Sequence, residues 1–293
     1  MNIIGRRKLW FTISSALIAI SIGAFVYNTL VHGEVMNFGI DFTGGTMINL
    51  RFEKWIPLDE VRGVLDGFGL GGDKSVIQRS GEKDVFIRTQ PLESDTRIEI
   101  VNGLKEKFGT VDLLESDTIG PVIGKELRTH AIWALIIASA GILIYVTFRF
   151  ESYKYAAAAL VALLHDAIIT TGVMALFWRT IDVAFIAGIL TIMGYSINDT
   201  IVIFDRVREN LRKPGASKHH FATIVNTSLL ETVARSLNTV FTSLIMVLAL
   251  LFFGGATLKN FCLVLVVGFA IGTYSSMFLA APLLVVWEKR KHK

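Results

Sequence analysis

Long apolar runs alternate with short polar segments along most of the chain. Six runs are long and apolar enough to cross a bilayer, which takes about 20 residues in a helix. They cover residues 9–31, 131–148, 155–178, 183–204, 237–253 and 261–286. The first run is longer than the roughly 7–15 apolar residues of a signal peptide, so the pattern predicts a retained membrane helix.

One polar stretch, residues 32–130, interrupts the apolar pattern. Periods of two and of 3.6 residues follow one another there, which predicts strands and helices in turn. The predicted strands are 46–52, 75–79, 84–89 and 111–116, and the predicted helices are 57–68 and 94–108. The order β-α-β-β-α-β predicts a small ferredoxin-like α+β domain.

The composition supports a membrane protein. Hydrophobic residues make up 52% of the chain, charged residues 18%, and the mean hydropathy is +0.55. We therefore expect a polytopic α-helical membrane protein with six spans and one small extramembrane domain. The expected divisions are a cytoplasmic tail with the first span (1–31), the α+β domain (32–130), and a five-span bundle (131–293). The last contains a cytoplasmic loop at 205–236 and a C-terminal tail.

The distribution of basic residues predicts the orientation. The segments 1–8, 149–154, 205–220 and 287–293 together carry 14 Lys and Arg, whereas the two short loops opposite carry only Arg179 and Lys259. Because basic loops stay in the cytoplasm, both termini are expected inside and residues 32–130 outside. No basic, aromatic-rich face indicates nucleic-acid binding.

The chain offers little to a metal, a cofactor or an enzyme mechanism. Its single cysteine, Cys262, lies in an apolar run, and the stretch 32–130 shows no His/Cys cluster, phosphate-binding loop or paired nucleophile and base. Asp166 and Asp199 could suggest an intramembrane aspartyl protease. Neither aspartate has the Gly-x-Gly-Asp context of those enzymes, so we expect a protein that is not an enzyme and needs no cofactor or metal.

Asp199 is the most informative polar residue because it lies in an apolar helix. It belongs to the segment GYSINDT, with Ser196 and Asn198 beside it. At 1.5 Å per residue Asp199 lies roughly 24 Å from Val183, in the inner half of the membrane. Charged groups at such depths are usually paired or functional. The carboxyl group is therefore predicted to exchange protons, or else to form a structural hydrogen bond.

Arg235 is the candidate partner of Asp199. Five polar residues at the start of the fifth span share one helical face, namely Glu231, Arg235, Asn238, Thr239 and Thr242. A cation that faces Asp199 in one state and leaves it in another would couple protonation to a conformational change. The alternatives are an ion pair between Arg235 and Glu231 or a contact with lipid phosphate.

Asp166, beside His165, lies near the middle of the third span. It either joins a proton path or caps a local polar cluster, and His165 fits a packing role better than that of a relay. Arg206 and Arg208, at the inner end of the fourth span, are expected to contact anionic lipid headgroups.

Several motifs, taken in order, resemble those of the SecD/SecF family of protein-export membrane proteins. They are GIDFTGGT at 39–46, IGPVIGKEL at 119–127, LHD at 164–166, GYSINDTIVIFDRVREN at 194–210, Arg235 with Asn238, and FGG at 253–255. The first motif includes Gly39, Asp41, Gly44 and Gly45 and is shared across the family. The length and the single outer domain are similar to those of separate SecF chains.

The resemblance implies a function and a set of partners. The family is similar to the resistance-nodulation-division exporters, and a SecF-type chain pairs with SecD to form a twelve-span unit. That unit associates with the SecYEG channel, often with YajC and YidC, and uses the proton-motive force to assist export. Its outer domains are thought to hold and release the unfolded secretory polypeptide. The family's membrane acid and arginine match Asp199 and Arg235.

Two other functions remain open from the sequence. A half-transporter for small molecules or lipids could use the same proton chemistry, and a purely structural subunit could use Asp199 and Arg235 only to hold helices together. The implied location is the bacterial plasma membrane, with the chain in direct contact with the lipid bilayer.

Overall fold

The computed structural model describes residues 2–71, 74–214, 220–255 and 258–289. The chain divides into two compact units: one holds the residues up to Asn37 and from Ile132 onward, and the other is Phe38–Ala131. Among the described residues, six helical segments are long and apolar enough to cross a membrane. The predicted fold class, six spans with a small α+β region, is confirmed.

The smaller unit contains a four-stranded antiparallel sheet. Its strands are β1 (Gly45–Phe52), β2 (Ser75–Ser80), β3 (Asp84–Thr89) and β4 (Val111–Ile119), in the order β2-β3-β1-β4. Two helices, α3 (Leu58–Gly67) and α4 (Ser94–Phe108), connect them. All four predicted strands and both helices are confirmed, although β4 extends three residues beyond its predicted end. A short helix, α2 (Ile40–Thr43), was not predicted.

Alternate residues of β1 build the core of this unit. Ile48, Leu50 and Phe52 are at most 2% exposed and pack with buried residues of α3 and α4. The opposite face of β1 carries Arg51, whose Nε and Nη2 donate to the two carboxylate oxygens of Asp84 on β3, at 2.7 and 2.9 Å. The period of two explains why strand β1 could be predicted from sequence.

The larger unit consists of long helices. They are α1 (Arg7–His32), α5 (Pro121–Phe150, which begins in the smaller unit), α6 (Tyr153–Leu176), α7 (Val183–Arg212), α8 (Phe221–Phe253), α9 (Lys259–Ser275) and α10 (Ala281–Lys289). The helices α7 and α8 exceed the predicted spans. Residues 205–236 were predicted as a cytoplasmic loop, but most of them are helical because α7 and α8 continue through this charged segment. Residues 215–219 lie outside the described residues.

Small residues allow α1 and α6 to approach closely. Ser14, Ser21 and Asn28 recur every seven residues on the buried side of α1. Ser21 packs against Gly172 of α6, where a β-carbon would overlap its side chain. The Asn28 amide donates to the carbonyl of Ala175 at 2.9 Å. Such close contacts supply packing and hydrogen bonds between membrane helices, where lipid removes most of the hydrophobic driving force.

A ladder of close contacts at small residues, like that between α1 and α6, also joins α7 to α9. Ile192 packs against Gly268, and Ser196 packs against Gly272. One turn further, Thr200 and Ser276 form a hydroxyl–hydroxyl hydrogen bond of 2.8 Å. The two glycines are spaced as in the GxxxG motif of membrane helix pairs.

The sixth span is interrupted by a π-helical turn. Residues Ser276–Ala280 form this turn, which separates α9 from α10. Such turns insert an extra residue into a helix and are frequent at functional sites. Its first residue, Ser276, is the one that contacts Thr200 on α7.

Candidate functional site

Asp199 lies on the buried side of α7 and is 9% exposed. Its Oδ1 accepts a hydrogen bond of 2.5 Å from the Ser236 hydroxyl on α8. Its Oδ2 is buried and has no hydrogen-bond partner among the described residues. A carboxyl group with one held oxygen and one vacant oxygen can bind and release a proton without losing its anchor to the neighbouring helix.

Ser236 is the residue of α8 that donates a hydrogen bond to Asp199, and the Arg235 guanidinium lies within electrostatic range of the same carboxyl group. The buried residues of α8 include a row with four-residue spacing: Ser228, Thr232, Ser236 and Val240. Arg235 precedes Ser236 by one position, so it lies about 100° around the helix, and its side chain is exposed. The predicted role of Arg235 as partner stays a prediction, and sequence reasoning missed Ser236, whose signal was this row with four-residue spacing.

Glu231 does not pair with Arg235, the alternative that the sequence left open. Its Oε2 accepts from Arg206 Nε at 2.6 Å and from Asn210 Nδ2 at 2.8 Å. Asn210 Nδ2 also lies 2.8 Å from the Ser228 hydroxyl. These contacts join the polar end of α7 to the start of α8. They fix how the two helices that carry Asp199 and Ser236 align.

Both arginines predicted to contact lipid headgroups have protein partners. In addition to Glu231, Arg206 contacts Glu209 at 2.6 Å. Arg208 donates to the backbone carbonyl of Arg149 at 2.8 Å, and the Arg149 side chain pairs with Asp205 at 2.9 Å. Long charged side chains therefore cross-link α5, α7 and α8 at one end of the bundle.

The predicted supporting residues fall into two groups. Ser196 is buried and donates to Asp166 Oδ2 of α6 at 2.6 Å. The others are exposed polar residues on α7 and α8, namely Asn198, Asn238, Thr239 and Thr242. The hydroxyls of Thr239 and Thr242 bond to carbonyls of their own helix. We call Asn198, Arg235, Asn238, Thr239 and Thr242 the polar face.

The glycine motif of the smaller unit forms a compact turn before β1. The carbonyl of Gly39 accepts from the backbone N–H groups of Phe42 and Thr43, and Asp41 lies in the first turn of α2. Gly44 and Gly45 follow with φ of 71° and 127°. Both values favour glycine. A β-carbon at Gly44 would come within 2.9 Å of the Pro121 backbone, at the start of α5.

We expect Gly45→Ala to destabilise this unit by about 3 kcal/mol. Positive φ costs about 1–3 kcal/mol for a residue with a β-carbon, and this one would also overlap the Thr89 carbonyl oxygen of β3. Protease resistance of the full chain during a temperature series measures the effect. The matched control is Gly63→Ala on α3, where a β-carbon would meet only the Lys107 amine at 3.9 Å. Equal resistance of both variants would contradict this geometry.

No group of three His, Cys, Asp or Glu side chains within the described ranges could hold a metal ion. Cys262 is buried and free.

Two family models match the chain. The model "Protein export membrane protein SecD/SecF, C-terminal" matches residues 100–290, and the "SecD/SecF GG Motif" model matches residues 35–54. The chain is 39% identical over 296 residues to the protein translocase subunit SecF of Sebaldella termitidis, covering 99% of this chain and 93% of the relative. It is 38% identical to SecF of Pseudomonas aeruginosa, with 97% and 90% covered.

Two solved SecDF structures are also similar. The crystal structure of SecDF from Thermus thermophilus, described as a translocon-associated membrane protein, superposes with a TM-score of 0.89 at 35% identity. It covers 99% of this chain, which matches only 39% of that longer protein. SecDF in its super-membrane-facing form gives a TM-score of 0.70 at 34% identity, with 100% and 39% of the two chains covered. The chain belongs to the SecD/SecF family of protein-export membrane proteins.

Proposed function

We propose that this chain is a SecF-type subunit that assists protein export by coupling proton movement through Asp199 to changes in its helices. The observation that carries the proposal is the half-satisfied carboxyl group: Oδ1 of Asp199 is held by Ser236, and Oδ2 is buried without a partner. A structural carboxylate would be expected to have both oxygens occupied, because unpaired buried acceptors are costly.

The membrane potential supplies enough free energy to a proton site for a conformational change. Moving one elementary charge through 100 mV supplies about 2.3 kcal/mol. That free energy can change the ratio of two conformations on the order of 50-fold. A single proton site can therefore drive a reversible helix rearrangement.

Arg235 supplies the candidate switch. It neighbours Ser236 in sequence but lies on the exposed side of α8. A rotation or shift of α8 that exchanged Ser236 for Arg235 would place a cation beside Asp199 and favour loss of its proton. The reverse movement would favour protonation. We propose that these two arrangements alternate during export.

The polar face supports a partner in the membrane. Asn198, Arg235 and Asn238 are exposed in this chain, although they lie on membrane helices. Exposed polar and charged groups are expensive against lipid, and in membrane proteins they face other helices or water. We propose that the helices of a SecD-type subunit cover the polar face, so that the proton path runs along the contact between the two subunits.

The wider assembly follows the family. We propose association with the SecYEG channel and, in some complexes, with YajC and YidC. The outer domain would contact the unfolded secretory polypeptide after it leaves the channel. We further propose that both termini lie in the cytoplasm of a bacterium and that residues 32–130 lie outside, as the 14 basic residues of the inner segments predict. The proposal includes no enzymatic step and no cofactor.

Purification of the tagged chain from native membranes in mild detergent tests the assembly. We expect equal amounts of a second six-span protein, with channel subunits at lower yield. Thr242→Trp, on the polar face, should lose that partner because the indole occupies the contact. Ile20→Trp, at a position of α1 that is 56% exposed, is the matched control and should retain it.

Two results would contradict the assembly. Recovery of a homo-oligomer without Sec components would favour a small-molecule or lipid half-transporter. Equal partner recovery with both tryptophan variants would mean that the polar face is not the contact.

A further inference from the structure

The second membrane aspartate, Asp166, is at the centre of a hydrogen-bonded cluster. Its side chain is 1% exposed. Oδ2 accepts from the Ser196 hydroxyl of α7 at 2.6 Å and from the Ser275 hydroxyl of α9 at 2.8 Å. Oδ1 lies 3.0 Å from Nδ1 of His165. One carboxyl group therefore connects three helices, α6, α7 and α9.

Asp166 and Asp199 differ in how their oxygens are used. Both oxygens of Asp166 have partners, whereas Oδ2 of Asp199 has none. Three held contacts in an enclosed site suit a fixed anchor. A group that exchanges a proton needs an oxygen that is not already held by other hydrogen bonds.

The anchor is directly connected to the π-helical turn. Ser275 is the last residue of α9, and the turn begins at Ser276. The Ser276 hydroxyl lies 2.8 Å from the Thr200 hydroxyl, and 3.2 Å from the carbonyl oxygen of Ser196. The path of contacts thus starts at Asp166, passes through Ser275 and Ser276, and ends at Thr200, the neighbour of Asp199.

We infer that Asp166 is a positioning residue: by holding Ser196 and Ser275 together it fixes the π-helical turn against α7, and so keeps Asp199 facing Ser236. The inference rests on the proposed function of Asp199. It assigns Asp166 to the cap of a polar cluster, one of the two roles that the sequence left open, and not to the proton path.

The physical reason lies in the register of the sixth span. A π-helical turn holds one residue more than an α-helical turn and is retained only when other contacts favour it. Without the two serine contacts, the turn can relax toward α-helical geometry. The following residues would then rotate by about 100° relative to α7. Thr200 would lose its partner, and the orientation of the α7 segment that carries Asp199 would no longer be fixed.

The test compares variants in proteoliposomes that contain the chain, its SecD-type partner and the SecYEG channel. The readout is the stimulation of export by an imposed proton-motive force, measured across a pH series. Asp166→Asn keeps a carbonyl oxygen that accepts from the serines. We expect it to retain more than half of the stimulation, with the same pH profile as the unmodified chain.

The double variant Ser196→Ala and Ser275→Ala removes both donors while changing little volume. We expect the stimulation to fall about fivefold because two hydrogen bonds to Asp166 are lost. The abundance of the chain should stay normal. Thr191→Ala is the matched control, because its exposed hydroxyl bonds only to the Ala187 carbonyl of its own helix. It should behave as the unmodified chain does.

The outcomes separate the inference from the proposed function. If Asp166→Asn abolishes stimulation at normal abundance, or shifts its pH profile, Asp166 carries a proton and the positioning role is overturned. Unchanged stimulation in the double serine variant would also overturn it. The Asp199→Asn variant is measured in a separate sample. If its stimulation is unchanged, the proposed function of Asp199 is contradicted.

Discussion

Asp199→Asn is expected to abolish the stimulation of export by the proton-motive force while leaving the complex assembled. The amide keeps an oxygen that accepts from Ser236, so the contact between α7 and α8 is retained. It cannot carry a proton, so the roughly 2.3 kcal/mol that one charge yields per 100 mV is no longer available. The rate with the force applied should fall to the rate without it. Appearance of a secretory precursor inside inverted vesicles, protected from protease, measures both rates.

Two variants make this result specific. Thr191→Ala changes an exposed residue of the same helix whose hydroxyl bonds to the Ala187 carbonyl, and it should keep the stimulation. Asp205→Asn removes a carboxylate that pairs with Arg149 at the end of the bundle and should leave the stimulation in place. If Asp199→Asn exports at the normal rate, the proton site is not Asp199. If it fails to assemble, Asp199 has the purely structural role.

Gly268→Leu is expected to have the largest effect on stability. A β-carbon at this position would overlap the Ile192 side chain of α7. The added side chain would force α7 and α9 apart, at a cost of about 3 kcal/mol or more, the upper range for overpacking. The contact between Thr200 and Ser276 lies two turns along the same ladder and should weaken with it. Thermal unfolding of the purified chain in detergent, followed by tryptophan fluorescence, measures the loss.

Gly23→Leu is the matched control for this substitution. Gly23 is an exposed residue of α1, and a β-carbon there would have nothing within 4 Å. Its unfolding temperature should remain that of the unmodified chain. A Gly268→Leu variant that unfolds within about 2 °C of this control would show that the two helices do not cross at Gly268.

The elements of the smaller unit could be predicted because their patterns are local. In the sequence of strand β1, the apolar residues Ile48, Leu50 and Phe52 alternate with the polar residues Asn49 and Arg51, and α3 begins after a proline with acidic residues in its first turn. The short helix α2 could not be predicted in this way. Its four residues are too few to show a period, and they are shaped by contacts of Gly39 and Gly44.

The ends of the membrane helices were harder to predict than their centres. Hydropathy detects the apolar part of a helix but does not detect a charged extension of it. The last turns of α7 carry Arg206, which pairs both with Glu209 of the same helix and with Glu231 of α8. These ion pairs stabilise helix where the composition resembles that of a loop.

The candidate site could be predicted as far as its key carboxylate. Asp199 stands out because an acid is rare in an apolar helix. Its hydrogen-bond partner could not be assigned from charge alone, because Arg235 and Ser236 are adjacent and the buried one of the two, Ser236, makes the hydrogen bond. The small residue fits the close approach of the helices, as the buried series Ser228, Thr232 and Ser236 indicates.

The cluster around Asp166 depends on the register among three helices, which no single segment reveals. Ser196 was predicted as a supporting residue of Asp199, yet its hydroxyl bonds to Asp166. Ser275 and Ser276 were not singled out, because serine is common in membrane helices and bonds readily to its own backbone. The π-helical turn could not be predicted from the hydrophobic pattern of the sixth span.

Proton flux tests the central claim most directly. The chain and its SecD-type partner would be reconstituted into proteoliposomes that hold a pH-sensitive dye, and a membrane potential would be imposed. We predict a proton flux with the unmodified chain and with Asp205→Asn, and none above the lipid background with Asp199→Asn. An equal flux in the Asp199→Asn sample, with the same amount of assembled complex, would contradict the account.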